Sequence, residues 1–254
     1  MRVTILGCGT SGGVPRIGNH WGDCDPANPK NRRRRVSVLI EHEDTVVLID
    51  TSPDMREQCL DANVSRLDAV LYTHDHADHS HGLDELRPLS YLNKKEIPVY
   101  GDAKTLATLE HRFHYAFAPE SDYFRPFVRS HVIDGPFTVG AIPIVPFIQH
   151  HGDKTSLGFR FGDIAYSTDV VGLPEASFEA LDGVDVWIVD ALQRRPHPTH
   201  SHLAQTLDWI KRVKPRRSIL THMTLDMDYA TLVDELPPGV EPGYDGLVIE
   251  VRGP

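Results

Sequence analysis

Five of the six residues in the segment His74-Asp75-His76-Ala77-Asp78-His79 are histidine or aspartate. Neutral imidazole and carboxylate are the donors that zinc and related first-row cations take. Buried without a cation, so dense a cluster would leave several polar groups unpaired, at about 1–3 kcal/mol each. A second histidine cluster, Arg194-Arg195-Pro196-His197-Pro198-Thr199-His200-Ser201-His202, stands directly before an amphipathic pattern in which Leu203, Leu207 and Ile210 recur at helical spacing. Backbone N–H groups at such a helix start favour anions, and a histidine there can donate a proton near neutrality. The segment Gly7-Cys8-Gly9-Thr10-Ser11-Gly12-Gly13-Val14-Pro15 is a third candidate. Its glycines permit close backbone approach to a ligand, and Thr10 and Ser11 can donate to a phosphate.

These side chains need elements to hold them. The apolar run Ala69-Val70-Leu71-Tyr72 precedes His74, so the first cluster leaves the end of a strand and enters a turn. Further Val/Ile-rich runs predict strands at Val36–Glu41, Thr45–Ile49, Asp68–Tyr72, Ile97–Tyr100, Ala141–Phe147, Leu157–Phe161, Ile164–Ser167, Val184–Val189, Ser218–Thr221 and Gly246–Glu250. Helices are expected from a cap at Ser52 to about Asn63, near Ala103–His114, Pro174–Leu181 and Tyr229–Glu235, and over Ser201–Val213. Hairpins at Val36–Ile49 and Leu157–Ser167, followed by alternating strands and helices, suggest a two-sheet α/β sandwich rather than one parallel sheet.

The bulk composition sets bounds. A chain of 254 residues with 40% hydrophobic and 24% charged residues can bury a substantial core and is ordinary for a globular protein. No run approaches the roughly 20 apolar residues of a membrane span, so no membrane partner is expected. Met1-Arg2-Val3-Thr4-Ile5-Leu6-Gly7 reads directly as a strand, leaving no room for a signal peptide. Three cysteines form no even framework, which favours a reducing, cytoplasmic setting. A net charge of −10 argues against a stable nucleic-acid complex. There is no internal repeat, and no linker divides the chain, so a single domain over residues 1–254 is expected.

The pattern His-x-His-x-Asp-His, here His74, His76, Asp78 and His79, resembles the signature of the metallo-β-lactamase superfamily. Later motifs follow in the matching order. His151-Gly152 before Leu157-Gly158-Phe159 is similar to the third-histidine motif of the phosphodiesterase branch. Ser167-Thr168-Asp169 is similar to the bridging aspartate, and Leu220-Thr221-His222 to the last histidine; the likeness runs from Gly7 to about Gly246. It implies a four-layer αββα sandwich holding two divalent ions, zinc first and manganese second. His74, His76 and His151 would bind one ion, Asp78, His79 and His222 the other, with Asp169 between them. Residues two apart beyond a strand end can converge on one ion, which suits His74 and His76. Such a pair, roughly 3.5–4 Å apart, clamps a phosphoryl group and holds an activated hydroxide. Two carboxylates against two dications keep the site locally positive despite the acidic chain. Between His150 and His151, strand alternation allows one ligand, and the family spacing selects His151.

Residues outside the metal set decide the reaction. The Arg194–His202 segment resembles a histidine-bearing loop of the same branch, and Thr199-His200-Ser201-His202-Leu203 aligns so that His200 assists the leaving oxygen; His197 and His202 are read as solvated. Asp50 and Asp54 are expected to orient ligand histidines or backbone. Of Arg32, Arg33, Arg34 and Arg35, most should be solvated or paired, with one left for substrate. The implied activity is a phosphodiesterase for small nucleotide-like or cyclic phosphodiesters, with metal-bound hydroxide attacking phosphorus. Asp78 and His200 are the candidate catalytic residues, and Thr10, Ser11 and His200 the candidate substrate contacts. The rivals are hydrolysis of a carboxylic ester, thioester or lactam, RNA 3′-end processing, and a non-enzymatic carrier resembling the pyrroloquinoline-quinone biosynthesis B protein.

One departure stands out. The cyclic-phosphate phosphodiesterases that accompany carbon–phosphorus lyase, which this chain resembles throughout, carry an extra zinc on three cysteines and a histidine. Here Gly18–Asp25 offers Cys24 and His20, and Leu225 stands where the histidine belongs. That site is therefore expected to be missing, with Trp21 left to packing and Cys8 and Cys59 buried as small apolar residues. Phe113, Tyr115, Phe117, Tyr123, Phe124 and Phe127 have two readings: core or the interface of a homodimer, and a lid over the site.

Overall fold

Two seven-stranded mixed sheets packed face to face, with helices on both outer sides, make a four-layer αββα sandwich in the computed structural model, which describes residues 1–119 and 125–253. The first sheet holds β1 (Arg2–Gly7), β2 (Ser37–His42), β3 (Thr45–Ile49), β4 (Ala69–Leu71), β5 (Ile97–Gly101) and β6 (Val128–Val132). The second holds β7 (Phe137–Val139), β8 (Ile142–His151), β9 (Lys154–Phe161), β10 (Ile164–Ser167), β11 (Val186–Asp190), β12 (Arg217–Thr221) and β13 (Val240–Pro242), and β14 (Val248–Glu250) returns to pair with β1. The helices are α1 (Met55–Asp61), α2 (Ala77–Ser80), α3 (Leu86–Asn93), α4 (Ala103–Arg112), α5 (His114–Phe117), α6 (Glu175–Leu181), α7 (Leu203–Val213) and α8 (Tyr229–Glu235).

Strand alternation builds the layers. In β2 to β4, Val38, Ile40, Val47, Ile49, Ala69 and Leu71 face the second sheet, where Ile144, Phe159, Tyr166, Ile188 and Ile219 meet them. Their neighbours Leu39, Leu48 and Val70 point the other way, against Met55, Leu86, Leu89, Leu106 and Leu109 of the outer helices. Burial on both faces explains why these strands read as continuous apolar runs.

The pairing then sets the site. β3 to β6 run parallel, as do β10 to β13, with Ile49 beside Leu71, Ser167 beside Val189 and Asp190 beside Thr221. The residues following these strands, Asp50, Thr73-His74, Thr168-Asp169 and His222, therefore emerge at strand carboxyl ends, where open α/β sheets place ligands. Asp50, Asp169 and His222 have φ of 60°, 54° and 58°. Non-glycine residues in the left-handed region cost about 1–3 kcal/mol and concentrate at functional sites.

β3, β10 and α8 span the predicted residues. Three strands escaped the sequence pattern for identifiable reasons: β6 is interrupted by Arg129, Ser130 and His131, β7 has three residues, and β13 ends in Pro242. All three sit at or beside sheet edges, where polarity and proline are tolerated. α3 was hidden by Pro88, which lies in its first turn and breaks no hydrogen bond there. The expected cap at Ser52 is not one: α1 starts at Met55, and Ser52 Oγ accepts from the Asp54 amide at 3.1 Å while donating to Gln58 at 2.8 Å. The helix expected over Ala103–His114 breaks at Phe113 into α4 and α5. Among the described residues, no helix is long and apolar enough to cross a membrane.

Candidate metal centre

The seven predicted donors converge. His74 follows β4, His76 precedes the single turn α2 that carries Asp78 and His79, His151 ends β8, Asp169 follows β10, and His222 follows β12. Asp169 sits between two groups. Its Oδ1 lies 3.7 Å from His74 Nε2 and 3.7 Å from His151 Nε2. Its Oδ2 lies 3.0 Å from His79 Nε2 and 3.4 Å from His222 Nε2. Asp78 Oδ2 joins the second group, 3.4 Å from His79 Nε2 and 3.6 Å from His222 Nε2. His76 completes the first, its Nδ1 3.3 Å from His151 Nε2. The two sets, His74-His76-His151-Asp169 and Asp78-His79-His222, each bring one ligand atom per residue to within 4.8 Å of the others.

Supporting groups fix which ring nitrogen faces inward. His79 Nδ1 donates to Asp50 Oδ2 at 2.7 Å, and the Thr73 amide and hydroxyl donate to the same carboxylate at 2.8 Å each. With its proton spent on Asp50, the Thr73 hydroxyl can accept from His74 Nδ1 at 3.0 Å. His151 Nδ1 donates to the Thr199 carbonyl at 2.7 Å. In each neutral ring the inward Nε2 is therefore a lone pair, the tautomer a metal needs.

The field in the site favours added positive charge. Burial opposes ionisation of Asp169, yet His222, His79 and His74 hold its carboxyl well below the usual range. Burial likewise opposes Asp78, which His79 and His222 hold low. Burial disfavours charge on His79, but Asp169, Asp78 and Asp50 push it well above an ordinary histidine. His222 is pushed up to about 9 by Asp169, Asp78 and Asp190 against its own burial. His74, His76 and His151 are pushed down, by burial first.

The donor set fits divalent cations. The Nε2 atoms of His74, His79 and His222 are buried without a hydrogen-bond partner. For His79, a lone pair stands 3.0 Å from a carboxylate oxygen. Two acceptors face each other there, an arrangement that a proton or cation must relieve.

The remaining candidates divide. His150 is exposed on the outer side of β8 while His151 is buried, as strand alternation requires. A cavity of about 180 Å³ over the centre is lined by Ser11, His76, Asp78, His151, Asp153, Lys154, Asp169, Thr199, His200 and His222. Ser11 thus reaches the cavity. Thr10 is buried, its amide donating to the Met223 carbonyl at 3.2 Å and its carbonyl accepting from Gly13 at 2.7 Å, so it holds backbone rather than lining the cavity. The glycines of this loop also serve a different purpose from the expected one. A Cβ on Gly7 would lie 2.0 Å from the Arg35 carbonyl, and one on Gly9 2.9 Å from that of Arg33, so the close approach is to Arg33–Arg35 main chain.

His200 is held for a role at the cavity. Its Nδ1 donates to Asp190 Oδ2 at 3.0 Å, and its Nε2 lies 3.6 Å from Asp169 Oδ1. Asp190, fully buried, also accepts from the Val170 amide at 3.1 Å. Sequence reasoning passed it over, although an acid closing an apolar strand, as in Ser167-Thr168-Asp169, was the available signal. His197 lies beside His200 with ring centroids 5.3 Å apart, and His202 is the residue before α7.

Asp54 accepts from the Arg35 amide at 2.9 Å and so orients backbone, as expected. The arginines depart from expectation at one position: Arg33 is 2% exposed, donating to the Met227 carbonyl at 2.7 Å and the Thr224 carbonyl at 3.4 Å. None of the four lines the metal cavity. Trp21 packs on an apolar cluster of Val14, Cys24 and Leu225. Cys8, Cys24 and Cys59 are buried and unpaired. Phe113, Tyr115, Phe117 and Phe127 pack in the core behind the first sheet; Tyr123 and Phe124 lie outside the described residues.

Residues 45–223 match the family model of the beta-lactamase superfamily domain. A crystal structure of a new diphosphatase from the PhnP family superposes with a TM-score of 0.92 at 36% identity, covering 99% of this chain and 98% of that one. An octanoyltransferase of Porphyromonas gingivalis is 35% identical across 100% of this chain but 52% of its own length, so the chain spans about half of that protein. Zinc-bound PqqB from Methylobacterium extorquens shares the fold, with a TM-score of 0.78 at 18% identity over 99% of this chain and 100% of that one.

Proposed function

We propose that this chain, which belongs to the metallo-β-lactamase superfamily, is a phosphoric diester hydrolase with two divalent cations in its site, zinc first and manganese second. One observation carries the reading: the two oxygens of Asp169 face separate imidazole groups, His74 and His151 on one side, His79 and His222 on the other. His74, His76 and His151 would hold one cation and Asp78, His79 and His222 the other, with Asp169 shared. When bound, the cations would polarise the phosphoryl oxygens and supply a nucleophile from water at neutral pH.

The chain's own residues do the rest. Asp50 and the Thr199 carbonyl keep His79 and His151 in the tautomer whose lone pair faces inward. Asp190 accepts from His200 Nδ1 and so favours the imidazolium, in which Nε2 carries the second proton that would stabilise or protonate the departing oxygen. The Ser11 hydroxyl can donate to a phosphoryl oxygen from the cavity wall. The substrate class is small phosphodiesters, nucleotide-like or cyclic, and the diphosphatase relative supports phosphorus chemistry.

A second reading draws on the octanoyltransferase relative: the same site would act on an octanoyl ester or thioester. No thiol here suits acyl carriage, because burial pushes Cys59 up to about 11 and raises Cys8 and Cys24 as well. The name of that relative describes a protein about twice as long.

The test is turnover of bis(p-nitrophenyl) phosphate, 2′,3′-cyclic nucleotides and p-nitrophenyl octanoate by zinc- or manganese-loaded protein. Hydrolysis of the phosphodiesters is expected. Phosphodiester turnover that survives loss of both His76 and Asp169, or turnover of the octanoate alone, defeats the assignment. A His200→Ala variant with full metal content and undiminished turnover removes His200 from the mechanism.

A further inference from the structure

We propose that Lys154 is a specificity-determining contact, selecting substrates that carry a second anionic group next to the scissile phosphoryl, as a diphosphate diester does. The inference rests on the phosphodiesterase reading of the same site and adds the shape of its substrate.

The residue sits on the turn between β8 and β9, His151-Gly152-Asp153-Lys154, where Lys154 is the cross-strand partner of His151. That pairing ties its Cα to a metal-site histidine. The other side of the turn is wedged as well. Gly152 has φ 66°, and a Cβ there would stand 2.7 Å from Thr199 Cγ2, so the turn presses on the loop that carries His200. Thr199 in turn accepts from His151 Nδ1 at 2.7 Å. The backbone of Lys154 is thus tied to His151 and, through the turn, to the loop that carries His200.

Its charge is uncommitted. Lys154 lines the metal cavity, yet among the described residues it forms no ion pair. Two arginines away from the cavity contrast with it: Arg34 is paired with Asp61 and Asp245, and Arg35 with Asp54. Lys154 shares the cavity lining with His76, on which its charge acts, so an ammonium there meets a substrate substituent that extends past His76. A second phosphate there would gain a charge-assisted hydrogen bond; a neutral aryl or alkyl group would gain nothing. Asp153, on the same turn and lining the same cavity, opposes an anion there, against the attraction of Lys154.

The experiment measures dissociation constants of AMP and ADP by calorimetry on zinc-loaded wild type, Lys154→Gln, Lys154→Arg and Asp153→Asn. Alongside it, kcat and KM are measured for ADP-ribose and bis(p-nitrophenyl) phosphate. The wild type should prefer ADP over AMP, Lys154→Gln should shrink that preference about tenfold, and Lys154→Arg should keep most of it. For ADP-ribose the loss should fall in KM rather than kcat. Asp153→Asn should tighten ADP a few-fold, about threefold. A wild type without preference for ADP, or a Lys154→Gln variant whose ADP-to-AMP ratio is unchanged, overturns the inference. If phosphodiesters are hydrolysed but the ratio ignores Lys154, this inference alone fails. If ADP is preferred through Lys154 while no phosphodiester is hydrolysed, the functional reading fails and the subsite stands.

Discussion

The histidine ring and the run Arg32–Arg35 are both polar and both reach into buried space, and they solve opposite electrostatic problems. In the ring, the Nε2 atoms of His74, His79 and His222 are buried without a hydrogen-bond partner and face the oxygens of Asp169, where only a proton or a cation relieves the approach. In the run, the cation is built in. Arg33, 2% exposed, is met by the Thr224 and Met227 carbonyls, Asn31 Oδ1 and the Cys24 sulfur. It lies beside Cys24, at the edge of the apolar cluster of Val14, Cys24 and Leu225. A guanidinium bonded to carbonyls joins the same two loops from within the chain. Burial of polar residues does not by itself indicate a metal. The balance of donors against acceptors does, and it is short of positive charge in the ring alone.

The sharpest break in that contrast is Asp169→Ala. It should lower phosphodiester turnover about a thousandfold or more and reduce bound metal, measured by elemental analysis beside kinetics. A chelator should lower the wild-type melting temperature, by an amount equal to about 2.7 kcal/mol where free metal had stood at 100 times its Kd, and should leave Asp169→Ala unmoved. The arginine side should respond the other way. Arg33→Met removes the donors to two buried carbonyls and should cost about 3 kcal/mol in urea unfolding while metal content stays at the wild-type level. Loss of metal from that variant would erase the distinction between the regions.

A pH test follows from Asp245, which accepts from the Arg34 amide at 2.8 Å and is pushed up to about 6 by burial, against the pull of Arg34. A carboxyl raised in the folded state stabilises it fully below the unfolded pKa near 3.8 and loses that contribution as pH rises through about 6. Up to about 3 kcal/mol separates the two limits. Denaturation midpoints of Asp245→Asn should therefore fall less between pH 4 and pH 8 than those of the wild type. The smallest effect is expected at Asp50→Asn, which weakens the hold on His79 and should lower metal affinity about 10–100-fold by competition titration.

Legibility in the sequence followed the range of the interaction. His74, His76, Asp78 and His79 were readable because one strand end and one turn carry all four. His151 was separable from His150 because strand alternation allows one ligand there and the family spacing selects His151, which is the buried one. Asp190 was visible only as an acid closing an apolar strand: its role comes from His200, ten residues on and brought back by the connection from β11 to α7. Gly9 misled, since a glycine needed for close approach does not say what approaches, and the partner is the Arg33 main chain. Thr10 and Ser11 were equivalent as letters, and the bond to the Met223 carbonyl made one a backbone support and left the other lining the cavity.

The amino-acid sequence by itself determined the donor types, the strand-and-turn units that carry them, and a two-sheet α/β sandwich as their architecture. These depend on period, composition and short spacing, which are local. Only the tertiary structure decided that one carboxylate faces two imidazole groups, that Arg33 is buried and bonded to two main-chain carbonyls, and that Lys154 lines the metal cavity with no ion pair among the described residues. Those outcomes depend on distances between residues far apart in the chain, set when two sheets align their strand ends, and no local pattern encodes such distances.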